Sequence, residues 1–216
     1  MGIKTRESFN FYSHLLGGIA AIIGTIFLLH AASYSFSAFI SALIYGFSVV
    51  FLFSASSLYH AFKKEENELS LWRKMDRFAI FFMIAGTYTP VCYFYLEGGW
   101  RWTMIIIEWG LVGFGLISQI FFPRAPRVIY VIIYSIMGWL AILPMKQVHA
   151  NMPSIQEFLL YSGGVAFTIG AIIYAIKRPR LIPGFFGFHE IFHIMVLIGG
   201  SCHYAMIYGA YFQQMV

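Results

Sequence analysis

Apolar positions dominate this chain, and they come in seven blocks separated by short polar punctuation. The blocks lie at about 12–32, 37–62, 77–96, 102–122, 127–146, 155–176 and 187–212. Each is near the roughly 20 residues an α-helix needs to cross the hydrocarbon layer of a bilayer. The breaks between them read S-Y-S-F-S, K-K-E-E-N-E-L-S-L-W-R-K, E-G-G-W-R, P-R-A-P-R, Q-V-H-A-N-M-P and K-R-P-R-L-I-P-G. Charge, glycine and proline at those points stop one helix and start the next. The pattern predicts an all-α, polytopic membrane protein: a seven-transmembrane helical bundle formed by residues 1–216 as one domain, without internal repeats.

Composition sharpens this picture. Of the 216 residues, 60% are hydrophobic and only 11% charged, more apolar surface than a soluble domain could hide. The first block follows K-T-R-E-S-F-N and lacks a small-residue cleavage site, so it reads as a span and not as a removable signal. Cys92 and Cys202 both lie inside apolar blocks, which argues against a disulfide framework. The net charge of +5 speaks of membrane orientation and not of nucleic acid. With the N-terminus placed inside, twelve of the 14 lysines and arginines fall in inner segments, leaving only Arg101 and Lys146 outside. That bias predicts a multi-pass protein of the cell membrane, with its N-terminus cytoplasmic and its C-terminus outside.

Orientation then gathers the candidate chemistry. His189 and His193 are four apart, so they share a helix face, and H-E-x-x-H offers two imidazoles to one metal ion. Ionisable groups inside a membrane segment are rare and mark function. Span two runs inward and carries Ser56 and His60 to the same depth; span three starts there with Asp76. His203 lies ten residues beyond His193, about 15 Å along a regular helix, too far to share the ion. The third ligand must come from upstream, and His60 is at the right depth. Zinc (Zn2+) is the default metal for imidazoles, ahead of iron or copper, and a catalytic zinc keeps its fourth position for water.

Each of these residues has a plainer reading. The histidines could snorkel or bond a neighbouring helix, and Ser56 could bond its own i−4 carbonyl, with Ser57 competing. Asp76 could serve the helix dipole or pair with Arg73 or Arg77, or it could hold a water or a ligand imidazole. Glu190 is the base in zinc proteases that carry this motif, or it faces another helix. Glu7, Asn10 and His14 cap span one or line the same cavity. His30 and His149 lie near the outer face and carry no assigned role. Gly17–Gly18, Gly86 and Gly199–Gly200 are expected at close helix contacts.

Four ordered stretches carry a family resemblance: E-S-F-N-F-Y-S-H-L-L-G, S-S-L-Y-H, W-R-K-M-D-R-F-A-I-F-F-M-I-A-G-T-Y-T-P and F-H-E-I-F-H-I-M-V-L-I-G-G-S-C-H. Together they resemble the bacterial hemolysin III branch of the progestin and adipoQ receptor family, over nearly the whole chain. A wider superfamily joins these proteins to alkaline ceramidases. The resemblance implies seven helices around a cytoplasm-facing zinc held by His60, His189 and His193, with Asp76 and Ser56 as the family's aspartate and serine. It implies a zinc hydrolase of lipid amides or esters, acting on membrane lipids such as a ceramide-like amide. A sensor with a structural zinc is the alternative. A pore-forming cytolysin ranks below both, because seven spans leave no soluble form to secrete. An intramembrane protease ranks there too, because no acidic residue follows Glu190.

Overall fold

The computed structural model describes residues 5–65, 68–182 and 185–215, and among them the chain is helical with no strand. The helices are α1 (Thr5–Ala31), α2 (Phe36–Phe62), α3 (Leu71–Tyr95), α4 (Gly98–Phe121), α5 (Arg127–Trp139), α6 (Met145–Asn151), α7 (Ser154–Ile176) and α8 (Phe188–Met215). Six are long and apolar enough to cross a membrane, and α5 with α6 makes a seventh span bent by 56°. The expected seven-span bundle is therefore present.

Local sequence explains where the helices begin. Ser35 caps α2 by accepting a bond from the Ala38 N–H at 3.2 Å, and Ser70 caps α3 by accepting one from Arg73 at 3.3 Å. Gly98, at φ +54°, turns the chain sharply out of α3 into α4, a conformation that glycine adopts without a Cβ penalty.

The fifth block differs from a continuous span. It runs as α5, a 3-10 turn over Leu140–Ile142 and then the short α6. Pro144 lies at the break, where its missing N–H and its ring end the preceding helix. The stretch expected as a connection, Gln147–Pro153, is thus largely helix α6.

The surface is inverted relative to a soluble protein. Ile22, Ile26, Phe27, Ile106, Ile117 and Phe121 stand exposed, whereas the buried set includes Glu7, Asn10, His14, His60 and His193. Large apolar side chains outward and polar ones inward is what a hydrocarbon solvent demands. α1 packs on α2 and α8, α2 on α3, α3 on α4, and α7 on α8, while α5 touches α3 and α7 more sparsely. Small residues set the close approaches: a Cβ on Gly17 would meet Leu197 at 2.8 Å, and one on Gly86 would meet the Ser48 hydroxyl at 2.2 Å. Gly199 packs as tightly, against the ring of Phe167, while Gly18 and Gly200 make only ordinary contact.

Candidate metal centre

His60, His189 and His193 meet at one end of the bundle, each offering a ring nitrogen within 4.8 Å of the others. The ring centroids are 5.1 Å apart for His60 and His189, 4.9 Å for His60 and His193, and 5.0 Å for His189 and His193. The spacing His189–His193 does this on α8 because four residues return the helix to nearly the same face. His60 arrives from the last turn of α2, and it and His193 are almost fully buried. Two nitrogens on one zinc stand at most about 4.2 Å apart, given Zn–N bonds of about 2.0–2.1 Å. The set lies close to that spacing and could hold one ion.

The surroundings fit a metal as well as the donors do. His60 Nδ1 meets Glu7 Oε2 at 2.7 Å, so its Nε2 is the nitrogen left for the cluster. A carboxylate on the far nitrogen is the usual way to fix the tautomer and raise the basicity of a ligating imidazole. Glu7 Oε1 in turn accepts from Lys63 Nζ at 2.7 Å. His193 Nδ1 faces the Ser13 hydroxyl at 3.5 Å, and Ser13 donates to the Asn10 carbonyl at 3.2 Å. Helix α1 thus supplies the outer partners of two of the three imidazoles. Sequence placed Glu7, Asn10 and His14 at this depth without saying which neighbours they would meet. His14 lies flat on His193, ring centroids 3.7 Å apart, with both its nitrogens unpartnered among the described residues.

The other expected residues are also here. Asp76, half-buried in the second turn of α3, faces His60, with the Ser56 hydroxyl beside its carboxylate. It is Ser57, and not Ser56, that bonds its i−4 carbonyl, donating to Phe53 at 2.8 Å. Glu190 is fully engaged. It accepts from Asn10 Nδ2 at 2.9 Å and from the Gly187 N–H at 2.8 Å, the second bond closing the first turn of α8 in the manner of a capping box. His203 stays away from the cluster and faces the Leu160 carbonyl at 3.2 Å, against α7. His30 is exposed, and His149 pairs with Glu157 at the opposite end of the bundle. One acid escaped the sequence reading. Glu108 in α4 is fully buried, and neither of its oxygens finds a partner among the described residues. A single glutamate in I-I-I-E-W-G-L-V was the signal available.

A cavity of about 690 Å³ opens beside the imidazoles. Its lining at this end includes Glu7, Asn10, His14, Ser56, Asp76, His189 and His193; farther in it is chiefly Met83, Ile84, Phe167, Ala171, Phe192 and Val196. On α8 the lining runs from Phe188 to His203, about 22 Å of helix, which is most of the hydrocarbon thickness.

These features define a multi-pass membrane protein with a largely buried three-histidine group, able to hold a metal ion, at the wall of a deep amphipathic cavity. The model of the haemolysin-III related family matches residues 3–204, and the chain belongs to that family. It is 36% identical to Hemolysin-3 of Bacillus cereus over 198 residues, covering 91% of this chain and 87% of that one. It is 28% identical to the human monocyte to macrophage differentiation factor over 203 residues, covering 92% and 82%. The yeast ADIPOR-like receptor IZH2 is 25% identical over 232 residues, covering 95% and 72%.

Proposed function

We propose that this protein is a zinc-dependent hydrolase of lipid amides or esters, working at the cytoplasmic face of the cell membrane and adjusting membrane lipid composition. The observation that carries this reading is the junction of the His60, His189 and His193 group with a long, mostly apolar cavity. A zinc ion held there would lower the pKa of water towards neutrality and polarise a substrate carbonyl. Asp76 acts as the base, or as the group that orients the attacking water. Ser56 orients Asp76 from the neighbouring helix. Glu7, Asn10 and Ser13 hold the imidazoles in place from α1. Glu190, the rival base, spends both oxygens on Asn10 and Gly187, which supports Asp76. The apolar walls take an acyl chain and exclude bulk water. The cytoplasmic placement rests on the twelve-to-two distribution of basic residues.

The test joins metal analysis to turnover by the purified protein on a panel of ceramides, acyl amides and esters. Asp76→Asn should keep its zinc and lose activity by about 10²–10⁴, the scale of a general acid–base group. Glu190→Gln should stay active. An active Asp76→Asn variant would remove Asp76 from the mechanism. A sensor with a structural zinc is the second reading, supported by the word receptor in the name of the yeast relative. Stoichiometric zinc without turnover on any of the panel would favour it.

A further inference from the structure

The mouth of the cavity carries more charge than a neutral amide requires. Lys63, Arg73, Arg77, Arg127, Lys177 and Arg180 all line it, against the acids Glu7, Asp76 and Glu190. Two of those acids are occupied: Glu7 by His60 and Lys63, and Glu190 by Asn10 and the Gly187 N–H. A basic rim is also what membrane orientation alone produces, so position must decide. Lys64, Lys74, Arg124 and Arg178 belong to the same connections and do not line the cavity. They suffice for orientation. Arg77 and Arg127 are different.

The Arg77 guanidinium lies 4.8 Å from the centre of the Tyr130 ring and donates to the Pro123 carbonyl at 3.2 Å. The Arg127 guanidinium lies 5.0 Å from the Tyr174 ring and 5.5 Å from that of Phe188. Neither has a carboxylate within ion-pair distance among the described residues. Stacking fixes the flat face of a guanidinium and leaves N–H edges for a planar or tetrahedral oxyanion. The two arginines come from α3 and α5, and Tyr130 and Tyr174, on which they stack, line the same cavity. Behind them runs the apolar wall, along about 22 Å of α8.

We propose that the cavity binds a lipid with one long acyl chain and a phosphate-bearing headgroup, with Arg77 and Arg127 holding the phosphate at the mouth. This rests on the same cavity being the substrate site of the proposed hydrolase. It narrows the substrate class from lipid amides and esters in general to anionic ones. A phosphate monoester brings about −1.5 to −2 charges at neutral pH, enough to meet both guanidiniums. A neutral ceramide-type lipid would leave Arg127 unanswered and Arg77 with only the neighbouring Asp76 carboxylate.

Binding, not turnover, is the test. The purified full-length protein in neutral detergent is titrated with oleoyl lysophosphatidate, with monooleoylglycerol and with glycerol 3-phosphate, following tryptophan fluorescence, since Trp139 lines the cavity. Lysophosphatidate should bind at least about tenfold tighter than monooleoylglycerol, the scale of one charge-assisted hydrogen bond. Glycerol 3-phosphate should bind far more weakly than either. Arg77→Gln and Arg127→Gln should each cut the headgroup preference about tenfold and leave monooleoylglycerol affinity in place. Where either substitution unfolds the protein, the exposed pair Lys177→Gln and Arg180→Gln supplies the same comparison with a smaller loss. Equal affinity for the charged and neutral lipids overturns the proposal. So does tight binding of glycerol 3-phosphate alone, which would mark a free-phosphate site, or a preference untouched by every substitution. A protein that shows this preference yet hydrolyses nothing keeps the headgroup site and removes the hydrolase. One that cleaves neutral amides with no headgroup preference does the reverse.

Discussion

Each end of the bundle carries a histidine paired with a glutamate, and the two pairs behave as opposites. At one end His60 and Glu7 meet at 2.7 Å with side chains only 1% and 7% exposed. At the other, His149 meets Glu157 with side chains 50% and 21% exposed. The first pair joins α1 to α2 and continues into two more imidazoles on α8. The second bridges the short connection between α6 and α7 and, among the described residues, continues to the Tyr161 hydroxyl, at 3.0 Å. The same two residue types therefore make a candidate centre in one place and a surface side-chain contact in the other. Burial, and the number of helices that converge, separate the two. A buried pair must justify its desolvation with further partners, whereas an exposed one need not.

The comparison can be broken most directly at its strongest point. On the proposed zinc site, His60→Ala should take zinc stoichiometry, read by elemental analysis of the purified protein, from near one to near zero, while His149→Ala leaves it unchanged. Equal loss from both would erase the distinction. Glu7→Gln comes next. It keeps the shape but weakens the hold on His60 Nδ1, and zinc affinity measured by chelator competition should fall by about 10–100-fold. Between the two ends, Gly86→Ala probes the packing that holds the helix of His60 against that of Asp76. A Cβ there meets the Ser48 hydroxyl at 2.2 Å and its Cβ at 2.5 Å, so overpacking should cost about 1–3 kcal/mol in detergent unfolding. The smallest effect belongs to the outer pair. His149→Ala should change stability by about 0–1 kcal/mol, as exposed ion pairs do.

Much of this was legible in the chain because helical periodicity and membrane depth are both one-dimensional. His189 and His193 announce a shared face by spacing alone. Ser56, His60 and Asp76 were brought to the same depth by counting spans and basic residues. Three things were not legible, each for a physical reason. The outer partners of the imidazoles depend on α1 sitting between α2 and α8, and the order of helices around a bundle is not written in hydropathy. The break at Pro144 turns one apolar block into α5 and α6, yet composition across it is nearly continuous. The cavity is lined in part by α5, which packs sparsely, and looseness leaves no mark on an apolar sequence. Glu108 stays silent in the chain because a lone acid in an apolar run has no spacing to betray it.

The bond from Asn10 to Glu190 spans 180 positions of the chain, as does the contact between Ser13 and His193. Translation makes α1 long before α8, so these partners are also widely separated in time. While the ribosome is still producing α7, the membrane holds His60 and its Glu7 but neither of the α8 histidines. A chain arrested before Phe188 owns one imidazole of the three. Assembly of the cluster therefore waits for α8, and metal uptake by nascent chains of increasing length would report when that helix has arrived.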